Sequence, residues 1–158
     1  MRRNLLGAAA IGVIRARTTR SSLAWVNANG KPPRAYHDLN AAGIRAWREW
    51  ADRLGGDWFR QTGSLHWADP ADAAQVARLA EHVAMLAAWD YPARFITSVD
   101  SLRLEPDLAI PRDVREVAYF PDEAYLLTVP AIQLLLGYAT ARRHPHNRRR
   151  RNRATVGR

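Results

Sequence analysis

The side chains able to do chemistry are few and scattered. His37, His66 and His82 are the histidines of the chain body. Their separations match no metal-ligand spacing, and no cysteine exists to complete a set, so no metal site is expected. Each histidine is read as structural, with His82 on a helix surface, off the apolar stripe. Asp122 and Glu123 are adjacent, so they do not form the facing pair that acid/base chemistry needs; they read as turn residues. Thr18, Thr19, Ser21 and Ser22 gather four hydroxyls within five positions. By type alone they read as a solvated loop bonded to its own backbone. No catalytic residue is identified. The lack of cysteine excludes disulfides and a cysteine nucleophile within this chain, and fits a reducing, cytoplasmic compartment.

Alternating helical and extended segments must position these groups. Tyr36, Leu39, Gly43, Trp47, Trp50 and Leu54 recur at helical spacing and predict a helix over 36–54, stopped by Gly55-Gly56. Asp69 as N-cap and Pro70 at the first helical position predict a second helix over 70–89, with Val76, Leu79, Val83 and Leu86 as its apolar stripe. A third runs over 129–141, and a short one over Ser98 to Leu104. Strands are expected at 64–67, Phe95 to Thr97 and 115–119. Thr18 to Gly30 and Pro121 to Leu127 read as loops. The mixture gives an α+β or α/β fold, of which α+β is the expectation taken, with sheet edges left unpaired.

Charge divides the chain into three. Residues 1–20 hold five arginines and no acid, and 142–158 hold eight arginines and no acid. The body between carries eleven bases against all fifteen acids, a net charge of −4. A nucleic-acid-binding domain carries its basic stripe on the folded body, so this distribution argues against a specific nucleic-acid partner. The alternative function, a small basic nucleic-acid- or anion-binding protein, rests on the arginine-rich ends alone. Arg2-Arg3 before an apolar run to Ile14 is similar to the start of a signal peptide, but no small-x-small cleavage site follows. The run is too short to span a bilayer, and no membrane association is expected.

The string Arg17-Thr18-Thr19-Arg20-Ser21-Ser22, followed by Ala24-Trp25-Val26-Asn27-Ala28-Asn29-Gly30, carries a family resemblance. It resembles the segment after the first βαβ unit in FAD-dependent oxidoreductases of the D-amino-acid oxidase, glycine oxidase and sarcosine oxidase family. Tyr36-x-x-Leu39 with Trp47, Phe59-x-x-Thr62-Gly63-x-Leu65, Leu104-Glu105-Pro106, and Pro121-Asp122-Glu123-Ala124-Tyr125 with Pro130 follow in the family's order. The resemblance implies FAD as cofactor and a small-molecule amine or amino acid as substrate. A C–N bond would be oxidised by hydride transfer to the flavin. It also implies that the hydroxyls of Thr18, Thr19, Ser21 and Ser22 face the FAD phosphates or ribitol. Ala24 and Trp25 would lie near the flavin ring; for Trp25, a packed core position is the equal alternative. His37 falls near the matched loop.

The departures matter as much. The family pattern needs a strand, then G-x-G-x-x-G opening a helix, then an acid for the ribose. Gly7-Ala8-Ala9-Ala10-Ile11-Gly12 lacks the middle glycine, and no acid occurs before Asp38. The expected organisation is an unmatched basic and apolar N-terminus (1–16), a partial flavin-loop and substrate-domain region (17–141) and a disordered arginine-rich tail (142–158). Such a chain reads as an internal fragment of the flavoenzyme, from a disrupted reading frame, inactive alone.

Overall fold

The computed structural model describes residues 24–142. Thr18, Thr19, Ser21, Ser22, the N-terminal apolar run and the tail after Arg142 lie outside the described residues. In chain order the elements are β1 (Trp25–Val26), α1 (Arg34–Leu54), β2 (Phe59–Arg60), β3 (Ser64–His66), α2 (Ala73–Ala88), β4 (Arg94–Thr97), α3 (Ser98–Leu104), β5 (Glu116–Phe120), β6 (Ala124–Leu126) and α4 (Thr128–Arg142). The fold is α+β, one of the two classes that the alternation of patterns allows. Two antiparallel three-stranded sheets form, ordered β1-β6-β2 and β3-β5-β4.

The turn after β5 joins the sheets. β5 is the centre of one, with Leu65 opposite Tyr119 and Phe95 opposite Ala118. Four residues later β6 is the centre of the other, with Trp25 opposite Tyr125 and Phe59 opposite Leu126. The core lies where α1, α2 and β5 meet, around Ile44, Val83, Leu86, Tyr91, Ala118 and Phe120. Trp58 is buried as well and donates its indole N–H to Gly55 O at 2.8 Å.

Three local readings are corrected. Trp25–Val26 and Ala124–Leu126 are strands, not loops. Each is too short to show an alternation, and each exists because the other supplies its ladder. The N-cap of α2 is Asp72 rather than Asp69: its carboxylate accepts from Gln75 N at 2.9 Å. Asp69 instead accepts from Ala71 N and closes the preceding turn. Asp72→Ala removes the acceptor and is expected to cost about 1 kcal/mol, read as a lower urea midpoint at unchanged slope.

The third correction concerns the core-facing side of α1. Its buried residues are His37, Ala41 and Ile44. Tyr36, Leu39 and Trp50 of the expected stripe are exposed, Leu39 by 68%. The helix has two apolar faces, and a periodicity count cannot say which one the domain covers. The larger aromatic face is the one left open.

Candidate functional site

That open face forms one wall of a groove. Tyr36, Leu39, Asn40, Gly43 and Trp47 of α1 stand opposite Ala24, Trp25, Val26 and Leu126, with Asn27 and Lys31 at the connecting turn. The enclosed volume is about 550 Å³. Trp25 is 42% exposed, so it stands between the two readings: its indole is part of a wall, not sealed in a core. Ala24 lies beside it, so the structure brings this pair to one surface. The groove lining contains no carboxylate, histidine, serine or threonine, and Lys31 is its one cation. Such a surface suits a flat, largely apolar group.

A buried polar cluster lies behind β1. Glu123, fully buried in the turn between β5 and β6, is its centre. Its carboxylate accepts from Asn29 N at 3.0 Å, from Ser64 Oγ at 2.5 Å and from Tyr91 Oη at 3.4 Å. Its backbone also takes part: Gly63 N donates to Glu123 O at 2.9 Å. Burial pushes the Glu123 carboxyl up from its ordinary value, while hydrogen bonds from Ser64, Asn29, Tyr91 and Trp25 oppose the rise. Tyr91 is pushed well above the ordinary phenol range, first by burial and then by the Glu123 charge. The reading of Glu123 as a plain turn residue is therefore corrected: it is in a turn, but it ties three other segments to it.

The histidines converge on the same region. His37 is buried and donates from Nδ1 to Ala28 O at 2.9 Å, with Tyr91 edge-on at 4.9 Å between ring centroids. His82, expected at the surface, is half-buried and hydrogen-bonded to Asn29 Oδ1. Its position off the apolar stripe reflects a polar partner inside the domain rather than solvent. His66 packs edge-on against Phe120 at 5.2 Å and receives Asn29 Nδ2 at 3.5 Å. Burial lowers the pKa of both; His82 adds to the effect on His66, and His37 to that on His82. Among the described residues, no group of three or more histidines and carboxylates is placed to hold a metal. Asn29, Tyr91 and Glu123 escape sequence reasoning because their partners lie 32 to 94 positions away. The one local signal was Asn29-Gly30, a turn pair in which Gly30 takes φ +67°.

Solved structures share this fold. L-proline dehydrogenase from P. horikoshii superposes with a TM-score of 0.67 at 17% identity, over 80% of this chain and 32% of its own. Glycine oxidase from Geobacillus kaustophilus gives 0.62 at 17% identity, over 80% and 35%. L-amino acid deaminase from Proteus vulgaris gives 0.57 at 18%, over 78% and 29%. At these identities the likeness is one of fold, and the chain spans about a third of each neighbour's length. No curated protein matches the chain. Among the described residues, no helix is long and apolar enough to cross a membrane. The sequence pattern of the FAD dependent oxidoreductase family matches residues 8–144, which takes in the groove, both sheets and the Glu123 cluster. By that match the chain belongs to the FAD dependent oxidoreductase family.

Proposed function

We propose that this chain carries one wall of the FAD site of an oxidoreductase acting on amines or amino acids, and that alone it does not retain the cofactor. The observation that carries the reading is the groove. Its apolar lining, free of carboxylates, opens on Ala24 and Trp25, the residues that the family resemblance sets beside the flavin ring. The described residues fit the ring end of FAD: Trp25, Tyr36 and Trp47 offer aromatic surface, and Lys31 offers one positive charge. They do not fit the pyrophosphate end, because among them no glycine loop opens a helix. Thr18, Thr19, Ser21 and Ser22, outside the described residues, would donate hydroxyls to the phosphates or ribitol. When bound, the flavin supplies hydride acceptance from a C–N bond. The chain's own part is to pack one side of the ring and exclude water there. We place the substrate, a small amine or amino acid, against the same cofactor, and the protein in the cytoplasm, in keeping with its lack of cysteine.

Weak retention follows from magnitudes. Each hydroxyl hydrogen bond contributes about 0.5–1.5 kcal/mol net. Fixing the backbone of each residue that bears a hydroxyl costs roughly 1–2 kcal/mol. Per residue the cost equals or exceeds the gain, so the hydroxyls alone hold little FAD. The full chain, incubated with FAD and desalted, is expected to show no flavin absorbance. At millimolar FAD, the Trp25 indole resonance in a ¹⁵N NMR spectrum is expected to shift with its groove neighbours. Shifts confined to other surfaces would sink the assignment of the groove. A stoichiometric yellow protein, bleached by glycine or a D-amino acid, would overturn the claim of weak retention.

A further inference from the structure

The buried segment Ala28–Asn29 takes its hydrogen bonds from titratable side chains on separate parts of the fold. His37 of α1 donates to Ala28 O at 2.9 Å, and the Ala28 backbone also hydrogen-bonds Tyr91. Glu123 accepts from Asn29 N at 3.0 Å. His82 of α2 and His66 of β3 hold the two ends of the Asn29 amide. A carbonyl oxygen only accepts, so His37 Nδ1 and His82 Nε2 each carry a hydrogen. The Asn29 amide nitrogen only donates, so His66 Nε2 must present its lone pair. His37 and His82 keep their roles when protonated. His66 alone loses its role, because its acceptor becomes a donor facing a donor.

Turning the Asn29 amide over repairs the contact only if His82 also moves its proton from Nε2 to Nδ1, so loss of the contact requires His82 to keep its Nε2–H on acidification. We propose that His66 is a proton-operated latch: its protonation releases the Asn29 side chain and loosens the segment that anchors β1 and the Trp25 wall of the groove. The groups facing His66 are consistent with that role. His82 stands across Asn29 from α2, with His37 of α1 behind it; Glu123 and Tyr91 bind the neighbouring backbone. The rings of Phe120 and Trp25 lie 5.2 and 6.1 Å from the imidazole. Burial and the neighbouring His82 both disfavour the charged ring, so release occurs below the ordinary histidine value of 6.5. The latch does not depend on what occupies the groove.

The test uses the full chain, isotope-labelled, followed by NMR between about pH 8 and pH 5, the range that brackets histidine titration. At the alkaline end, imidazole nitrogen shifts are expected to show the Nδ1–H tautomer for His66 and the Nε2–H tautomer for His82. On acidification, hydrogen-exchange protection of the Asn29 backbone amide is expected to fall by about tenfold or more, with the midpoint of the His66 titration. His66→Gln offers a permanent acceptor, so the step at the His66 midpoint is expected to vanish, leaving only the response set by Glu123, the acceptor of the Asn29 backbone amide. An Nε2–H tautomer for His66, wild-type protection that does not follow the His66 titration, or a wild-type pH response in His66→Gln overturns the latch. Should that variant fail to fold, the wild-type tautomer and protection profile decide the question.

Discussion

Glu123→Ala is expected to lower the unfolding free energy by about 3–5 kcal/mol, because it strips three buried donors of their shared acceptor. The substitution leaves Asn29 N–H, Ser64 Oγ and Tyr91 Oη without their acceptor in a fully buried site. An unsatisfied buried donor costs roughly 1–3 kcal/mol, and two sheets and the Ala28–Asn29 segment lose their common anchor. Against a typical total of about 5–15 kcal/mol, this is a large fraction of the stability. Urea unfolding followed by circular dichroism measures it; a loss under about 1 kcal/mol would show that the carboxylate anchors nothing. Glu123→Gln keeps one acceptor oxygen for Asn29 N–H and is expected to cost about 1–2 kcal/mol. The pH dependence of that cost has a definite sign. The folded pKa of Glu123 is raised above 4.5, so the folded state holds the proton more tightly than the unfolded state. The associated stability is full below 4.5 and is lost as pH rises through the folded value. The gap between wild type and Glu123→Gln is therefore expected to narrow as pH rises from 4.5 toward neutrality.

The second large effect is expected at Gly63. This residue takes φ +76° in the turn between β2 and β3, donating to Glu123 O. A Cβ there would lie 2.5 Å from Tyr119 Cε2 and 3.1 Å from Phe120 O. The left-handed backbone costs an alanine roughly 1–2 kcal/mol, and displacing packed atoms about 1–3 kcal/mol more. Gly63→Ala is thus expected to lose about 3 kcal/mol, chiefly because the Tyr119 ring must leave its place over β3. Gly30→Ala is the control: it has a similar φ of +67° but nothing within 4 Å of the added Cβ, so only the backbone contribution remains. Equal losses at the two positions would refute the steric part of the argument.

The sequence by itself determined the four helices, three of the six strands and their order. The three longer helices and the Ser98–Leu104 helix were legible because an amphipathic or capped segment declares itself within one or two turns. The Gly55 stop was legible for the same reason, since only local backbone geometry is needed, and Gly55 takes φ +66°. The family likeness was legible because its motifs, Thr62-Gly63 and Pro121-Asp122-Glu123 among them, mark turns whose residue types are fixed locally. The tertiary structure decided the rest. The exposure of Tyr36 and Leu39 and the burial of His37 and Ile44 depend on which side of α1 the sheets occupy, and both sides are apolar enough to satisfy the pattern. The strand character of Trp25–Val26 depends on Ala124–Leu126, about a hundred residues later. Glu123 became the centre of the molecule only because chain folding brings Asn29, Ser64 and Tyr91 to one carboxylate; a hydrogen bond between distant segments leaves no periodicity in either of them.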